Sequence, residues 1–286
     1  MPKRTKLWKS IRVISLAGAA GLGGCASEHV EDEGELAIAV PHEAESVETI
    51  VALGGEGEGE GEGEGEGEGS YVKNLGIDDL AYLNQLGLMR GHIHVGYELY
   101  IAGHIDHAKT HMKHPESELY ADIVPAFTAR GVDGFSGELS ELTKVVEQEQ
   151  DKEQVTQAYL ALTAAIAKAG SAVSEESATP AESLKLIVGL LRVAAKEYGI
   201  AVVDGKMQNA HEYQDALGFT TIAGEVLNKI KSDKADVVAA KSATAKILTD
   251  LKAHWPALVP PETLTTEAGA IYAAASKIEL AALGLN

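Results

Sequence analysis

Histidines are concentrated in one short segment of this 286-residue chain. Six of the ten histidines fall within 23 residues, namely His92, His94, His104, His107, His111 and His114. Neutral imidazole is the commonest metal ligand among side chains, whereas a single helical histidine more often packs or faces solvent. The density therefore predicts a surface that binds a metal ion or haem.

Gly103 lies inside this segment and is expected to turn the chain into an αα-hairpin. In such a hairpin, residues equally far from the turn lie level on the two helices, which places Glu98 beside His107 and His94 beside His111. One-turn spacing also puts His94 and Glu98 on one face. The hairpin predicts three imidazoles and one carboxylate around one ion.

Two further histidines, His104 and His114, are expected near this ion. If the helix instead continues straight through Gly103, four histidines share one arc of its surface: His104, His107, His111 and His114. That alternative is also compatible with metal binding.

A second candidate pair lies in the other half of the chain. His211 and Asp215 are one helical turn apart, the same spacing as His94 and Glu98. Ligand pairs that project inward from separate helices build the metal sites of helical bundles. His254, by contrast, stands alone beside Trp255, and we expect it to be a surface or packing residue.

The types of donor side chain limit which metal ion or cofactor the protein can bind. The chain has one cysteine and four methionines, and imidazole with carboxylate suits iron, zinc or Cu(II), of which we favour iron. No Cys-x-x-Cys-His motif is present, which excludes covalent haem and leaves b-type haem bound by two histidines as an alternative. Neither His-Glu-x-x-His nor Gly-x-Ser-x-Gly occurs, so the sequence favours a protein that is not an enzyme.

The first residues have the pattern of an export signal. A basic head is followed by an apolar run over residues 13–22, which is too short to span a bilayer. The run ends in Leu-Gly-Gly-Cys-Ala-Ser, which resembles the lipobox of bacterial lipoproteins. The resemblance implies that residues 1–24 are a cleaved signal peptide and that Cys25 carries the lipid anchoring the protein to a membrane. With Ala26 after the cysteine, it also implies a periplasm-facing or cell-surface position, with the outer membrane as the destination.

Residues 25–70 are expected to form a disordered acidic linker. Residues 26–70 contain fifteen acidic residues and no lysine or arginine, and residues 55–68 repeat Gly-Glu seven times. Without the signal peptide, 19 basic residues face 43 acidic ones, a net charge of −24. This charge argues against a nucleic-acid partner.

From Tyr71 onward, apolar residues recur at helical spacing and predict an all-α fold. Residues 86–90 match residues 188–192 at an offset of 102, and Gly103 matches Gly205 at the same offset. The matches indicate a duplicated helical bundle, built of αα-hairpins. We expect a His-rich bundle at 71–172 and a second bundle at 173–286. Asp106 and Asn209 are the expected helix starts after the two glycines.

An exported, duplicated helical bundle with Gly91 ahead of a histidine and a glutamate resembles the imelysin-like periplasmic proteins of iron acquisition. Their motif is Gly-x-His-x-x-Glu, whereas here His94 follows Gly91 by three residues and Glu98 follows His94 by four. The resemblance implies an iron role for His94 and Glu98.

Three hypotheses follow from the sequence. The first is a lipoprotein that captures iron or another divalent metal ion, or transfers it to a membrane transporter or receptor. The second is a helical-repeat interaction module for a protein or peptide. The third is a protein that binds b-type haem.

Overall fold

The computed structural model of the protein describes residues 74–285, without the side chains of residues 114 and 116–118. These residues belong to one compact unit. The predicted signal peptide, Cys25 and the acidic linker lie outside the described residues. Among the helices of residues 74–285, none is long and apolar enough to cross a membrane.

Helices account for most of the described chain, which confirms the all-α prediction. The first five are α1 (Asp79–Ala102), α2 (Ile105–His114), α3 (Ala121–Arg130), α4 (Ser136–Glu147) and α5 (Lys152–Gly170). The next four are α6 (Pro180–Ala201), α7 (Ala210–Lys229), α8 (Ala235–Asp250) and α9 (Ala268–Leu283). A π-helical turn covers Pro115–Tyr120, 3-10 turns cover Glu175–Ala178 and Leu251–His254, and β1 (Val202–Val203) pairs antiparallel with β2 (Lys206–Met207).

The predicted turn at Gly103 is confirmed. Gly103 ends α1 in the left-handed region with φ of 92°, where a glycine is favoured because it has no Cβ, and α2 then packs back against α1. The start of α2 differs from the prediction, since His104 rather than Asp106 takes the N-cap position. Asn209 starts α7 as expected, and its side-chain oxygen accepts from the backbone N–H groups of His211 and Glu212.

Buried apolar side chains form two clusters. One includes Tyr82, Met89 and Leu139 from the first five helices. The other includes Leu190 and Phe219 from the last four helices and the segments that join them. Because α1 also packs against α6 and α7, the clusters lie in a single packed unit. The division into bundles at 71–172 and 173–286, and the duplication behind it, stay predictions.

A buried arginine at the end of α3 contacts both the start of α1 and the residues that follow α5. The Arg130 side chain is 6% exposed and pairs with Asp79 at the start of α1. It also donates to the carbonyl oxygens of Leu75 and Ala172, and its guanidinium lies 4.2 Å from the ring centroid of Tyr82. One planar cation therefore satisfies several acceptors at once.

Helices α1 and α7 cross with their backbones in contact at two glycines. A Cβ on Gly218 would lie 2.4 Å from the carbonyl oxygen of Gly91, and a Cβ on Gly91 would lie 2.4 Å from the ring of Phe219. Only glycine permits this approach at either position. The crossing brings His92, next to Gly91 on α1, within reach of Asp215, about one turn before Gly218 on α7.

Candidate metal centre

Asp215 is the centre of a buried group of histidines drawn from three helices. Its side chain is 2% exposed, and its Oδ1 lies 2.6 Å from Nδ1 of His92 on α1 and 3.1 Å from Nδ1 of His111 on α2. Its other oxygen, Oδ2, lies 3.2 Å from Nδ1 of His211, one turn earlier on α7. Both carboxylate oxygens therefore face imidazole nitrogens.

The arrangement around Oδ1 is that of ligands around an ion. Nδ1 of His92, Nδ1 of His111 and Oδ1 of Asp215 are close together and buried, yet within the described part of the chain none of the three has a partner in hydrogen-bond geometry. Two donors that each bind an ion at about 2.1 Å lie roughly 3.0 to 3.4 Å apart, with their lone pairs directed at the ion rather than at each other. The 3.1 Å separation to His111 has that spacing, whereas the 2.6 Å separation to His92 is shorter and would have to widen around an ion.

Gln214 determines which nitrogen of His111 carries the proton. The Gln214 amide nitrogen donates to the carbonyl oxygen of Leu258 at 3.2 Å, so its Oε1 must face the histidines. That Oε1 lies 3.0 Å from Nε2 of His111 and accepts from it. In neutral His111 the proton is therefore on Nε2 and the lone pair is on Nδ1, directed toward Asp215. Such an outer contact is typical of a metal-binding histidine.

The charges of the group favour an ionised Asp215. Burial by itself would raise the pKa of Asp215, but the charges that His92 and His111 carry when they are protonated, together with their side-chain contacts to Asp215, outweigh burial and hold the pKa well below its ordinary value. Glu212, beside His211 on α7, behaves in the opposite way. Burial, the hydrogen bond to Glu197 and the charges of Glu197 and Asp215 raise the pKa of Glu212 to about 7.

Asp215 belongs to two sets of donors. His92, His111 and Asp215 form one set, and His211, Glu212 and Asp215 form the other, with the ligand atoms of each set within 4.8 Å of one another. The imidazole rings of His111 and His211 stack with centroids 4.1 Å apart and planes at 12°. Both sets have the imidazole and carboxylate donors that suit iron, zinc or Cu(II).

Three residues predicted from the sequence meet in this group: His111, His211 and Asp215. His107 lies at its edge, with Nδ1 3.3 Å from Oε1 of Gln214, and His104 is exposed at the start of α2. The side chain of His114 is outside the described structure. A metal role for these residues stays a prediction.

The predicted positions of His94 and Glu98 need correction. His94 does not lie beside His111, because its Nδ1 is 3.1 Å from the hydroxyl of Tyr159 on α5. Glu98 is exposed and belongs to neither donor set of residues 74–285. Two residues along a helix correspond to a rotation of about 200°, so His92 and His94 face opposite sides of α1. The hairpin places Gly96, not His94, against His111.

Sequence analysis left His92, Glu212, Gln214 and Glu197 out of the site. His92 is part of the histidine-rich segment, and Glu212 follows His211 directly, so their residue types were visible in the sequence. Their selection depends on how α7 packs against α1 and α2, which no local pattern reveals. His254 packs as expected: it is buried, and its ring nitrogens face the carbonyl oxygens of Leu251 and Glu267.

The last four helices resemble a known family. Residues 174–283 match the model of the iron permease-associated 4-helix bundle domain. No curated protein and no solved structure matches the chain. The bundle covers α6 to α9 and supplies Asp215 and the other residues of the second donor set, whereas His92 and His111 come from residues that precede it. The match supports a helical bundle over these four helices.

Proposed function

We propose that this protein is an exported lipoprotein that binds a divalent iron ion at His92, His111 and Asp215 and delivers it to a membrane iron transporter. The observation that carries the proposal is the position of the His111 lone pair. When His111 is neutral, Gln214 holds its single ring proton on Nε2, so the lone pair on Nδ1 faces the ionised Oδ1 of Asp215 across 3.1 Å in a buried site. A cation between these atoms removes the repulsion of the two lone pairs.

The donor set supports iron as the cargo. Two histidines and one carboxylate form the set of protein ligands that non-haem Fe(II) proteins use. The name of the matching bundle, iron permease-associated, supports the same metal and a membrane transporter as the partner. The lipobox-like sequence at Cys25 supports a lipid anchor that would hold the protein at a membrane surface, with the outer membrane as the proposed location.

The experiment is an anaerobic calorimetric titration of the full-length protein with Fe(II), repeated with Zn(II) and Cu(II). We expect His92→Ala and Asp215→Asn to weaken Fe(II) binding at least tenfold, because each removes one of three protein ligands. The matched control is His104→Ala, because His104 is exposed and belongs to neither donor set of residues 74–285, so it is not a ligand of the proposed ion. Circular dichroism melting of each variant separates lost ligands from lost fold.

Two results would refute the proposal. One is a parent protein that binds none of these ions more tightly than about 0.1 mM, or about −5.5 kcal/mol. The other is a folded His92→Ala variant that binds Fe(II) as tightly as His104→Ala does. In either case a Soret band on haem addition would support the haem hypothesis, and its absence would leave the interaction-module hypothesis.

A further inference from the structure

We propose that the site holds two metal ions bridged by Asp215, the first bound by His92 and His111 and the second by His211 and Glu212. This inference rests on the proposed function, because it assumes that the first donor set binds metal. It goes beyond that function by assigning a second ion, its ligands and a bridging carboxylate.

The two oxygens of Asp215 serve different histidines. Oδ1 faces His92 and His111, at 2.6 and 3.1 Å from their Nδ1 atoms, while Oδ2 faces Nδ1 of His211 at 3.2 Å. A carboxylate whose two oxygens face different histidines can bind one ion through each oxygen.

The stacked rings of His111 and His211 exclude a shared ion. The lone pair of an imidazole nitrogen lies in the plane of its ring, and these two planes are nearly parallel, at 12°, with centroids 4.1 Å apart. Lone pairs in two stacked, parallel planes cannot converge on one point. They can bind two ions, one in each plane, and the 4.1 Å between the rings is close to the roughly 3.5 to 4 Å between the ions of two-metal sites.

Carboxylates complete the second set. Oε1 of Glu212 lies 4.0 Å from Nδ1 of His211, and Glu212 is hydrogen-bonded to Glu197 on α6. The side chains of Glu212 and Glu197 are 26% and 17% exposed, against 2% for Asp215, so the second ion would lie on the more accessible side. Oxygen ligands there suit a hard or borderline divalent ion.

The experiment counts ions and measures their proximity in the full-length protein. Elemental analysis after anaerobic Fe(II) loading and desalting should give two ions per chain, and the Cu(II)-loaded protein should show the electron paramagnetic resonance spectrum of a coupled pair. His211→Phe keeps a ring stacked on His111 but removes a ligand, and Glu212→Gln keeps the shape of the side chain. Both should reduce the count to one and give the spectrum of an isolated Cu(II). The control His104→Ala should keep two coupled ions.

The outcomes separate this inference from the proposed function. A parent protein with one ion, whose affinity depends on His92 and not on His211, would overturn the two-ion inference and leave the proposed function intact. A folded His211→Phe variant that still holds two coupled ions would also overturn it. A parent protein with no ion would refute both.

Discussion

Replacing Gln214 with leucine should weaken metal binding without removing a ligand. Gln214 is fully buried; its Oε1 accepts from Nε2 of His111 at 3.0 Å and its amide nitrogen donates to Leu258 at 3.2 Å. With leucine, the proton of neutral His111 is no longer held on Nε2. It can move to Nδ1 and pair with Asp215, in competition with the metal ion.

The expected loss is about 10- to 100-fold in affinity, the usual effect of removing an outer contact of a metal-bound histidine, or about 1.4 to 2.7 kcal/mol. The substitution also leaves the Leu258 carbonyl and one imidazole nitrogen without this partner. We therefore expect the protein to lose about 1 to 3 kcal/mol of stability for each buried group left unsatisfied.

The assay combines Fe(II) calorimetry with nitrogen-15 NMR of the histidine rings in metal-free protein. The NMR spectrum should show His111 as the Nε2–H tautomer in the parent and a mixture of tautomers in Gln214→Leu. The matched control is Gln85→Leu, because the amide of Gln85 faces the carbonyl oxygen of Leu119 in a different part of the fold. If Gln214→Leu binds Fe(II) like Gln85→Leu, or if the His111 tautomer is unchanged, Gln214 does not position this histidine.

Three other substitutions test the packing and charges around the site. Gly218→Ala should cost about 1 to 3 kcal/mol of stability and weaken metal binding, because the new Cβ would lie 2.4 Å from the Gly91 carbonyl oxygen; an unchanged melting temperature would contradict the close crossing of the two helices. Arg130→Met should destabilise the protein by about 3 to 5 kcal/mol in urea unfolding, since it leaves the Asp79 carboxylate unpaired, and a loss below about 1 kcal/mol would contradict this role. The pKa of Glu212 is about 7 in the folded protein and 4.5 ordinarily, so protonated Glu212 stabilises the folded state of the metal-free parent. This stabilisation is present at low pH and is lost, on the order of 2 kcal/mol, as pH rises from about 4.5 through 7. Glu212→Gln should abolish that loss in unfolding measured with a chelator between pH 5 and 8, and an identical pH profile for parent and variant would contradict the shift.

The sequence predicted those features that depend on residues close together along the chain. The helical spacing of apolar residues, the turn at Gly103 and the cap at Asn209 all depend on a few neighbouring residues, and the structure has all three. The density of histidines is likewise a local property. It indicated the segment that supplies His111.

Sequence reasoning could not select the correct histidine because α1 packs against α5, α6 and α7 as well as against α2. The prediction paired α1 only with α2, and on that basis His94 and Glu98 form a reasonable face. In the structure α7 also packs on α1, crossing it at Gly91 and Gly218, and so Asp215 meets His92. The face that carries His94 packs instead toward Tyr159. A glycine beside the functional histidine was visible in the sequence, but the helix that required it was not.

The family match includes all ligands of the second donor set but only one ligand of the first. Residues 174–283 contain Asp215 and the second donor set, whereas both imidazoles of the first set precede them. Without α1 and α2, the bundle of this chain would retain Asp215 but would lack His92 and His111. Asp215 would then lose the two imidazoles whose charge, when they are protonated, holds its pKa low. The proposed iron site therefore requires the histidine-rich hairpin and the bundle together, because the bundle alone supplies only one of its three ligands.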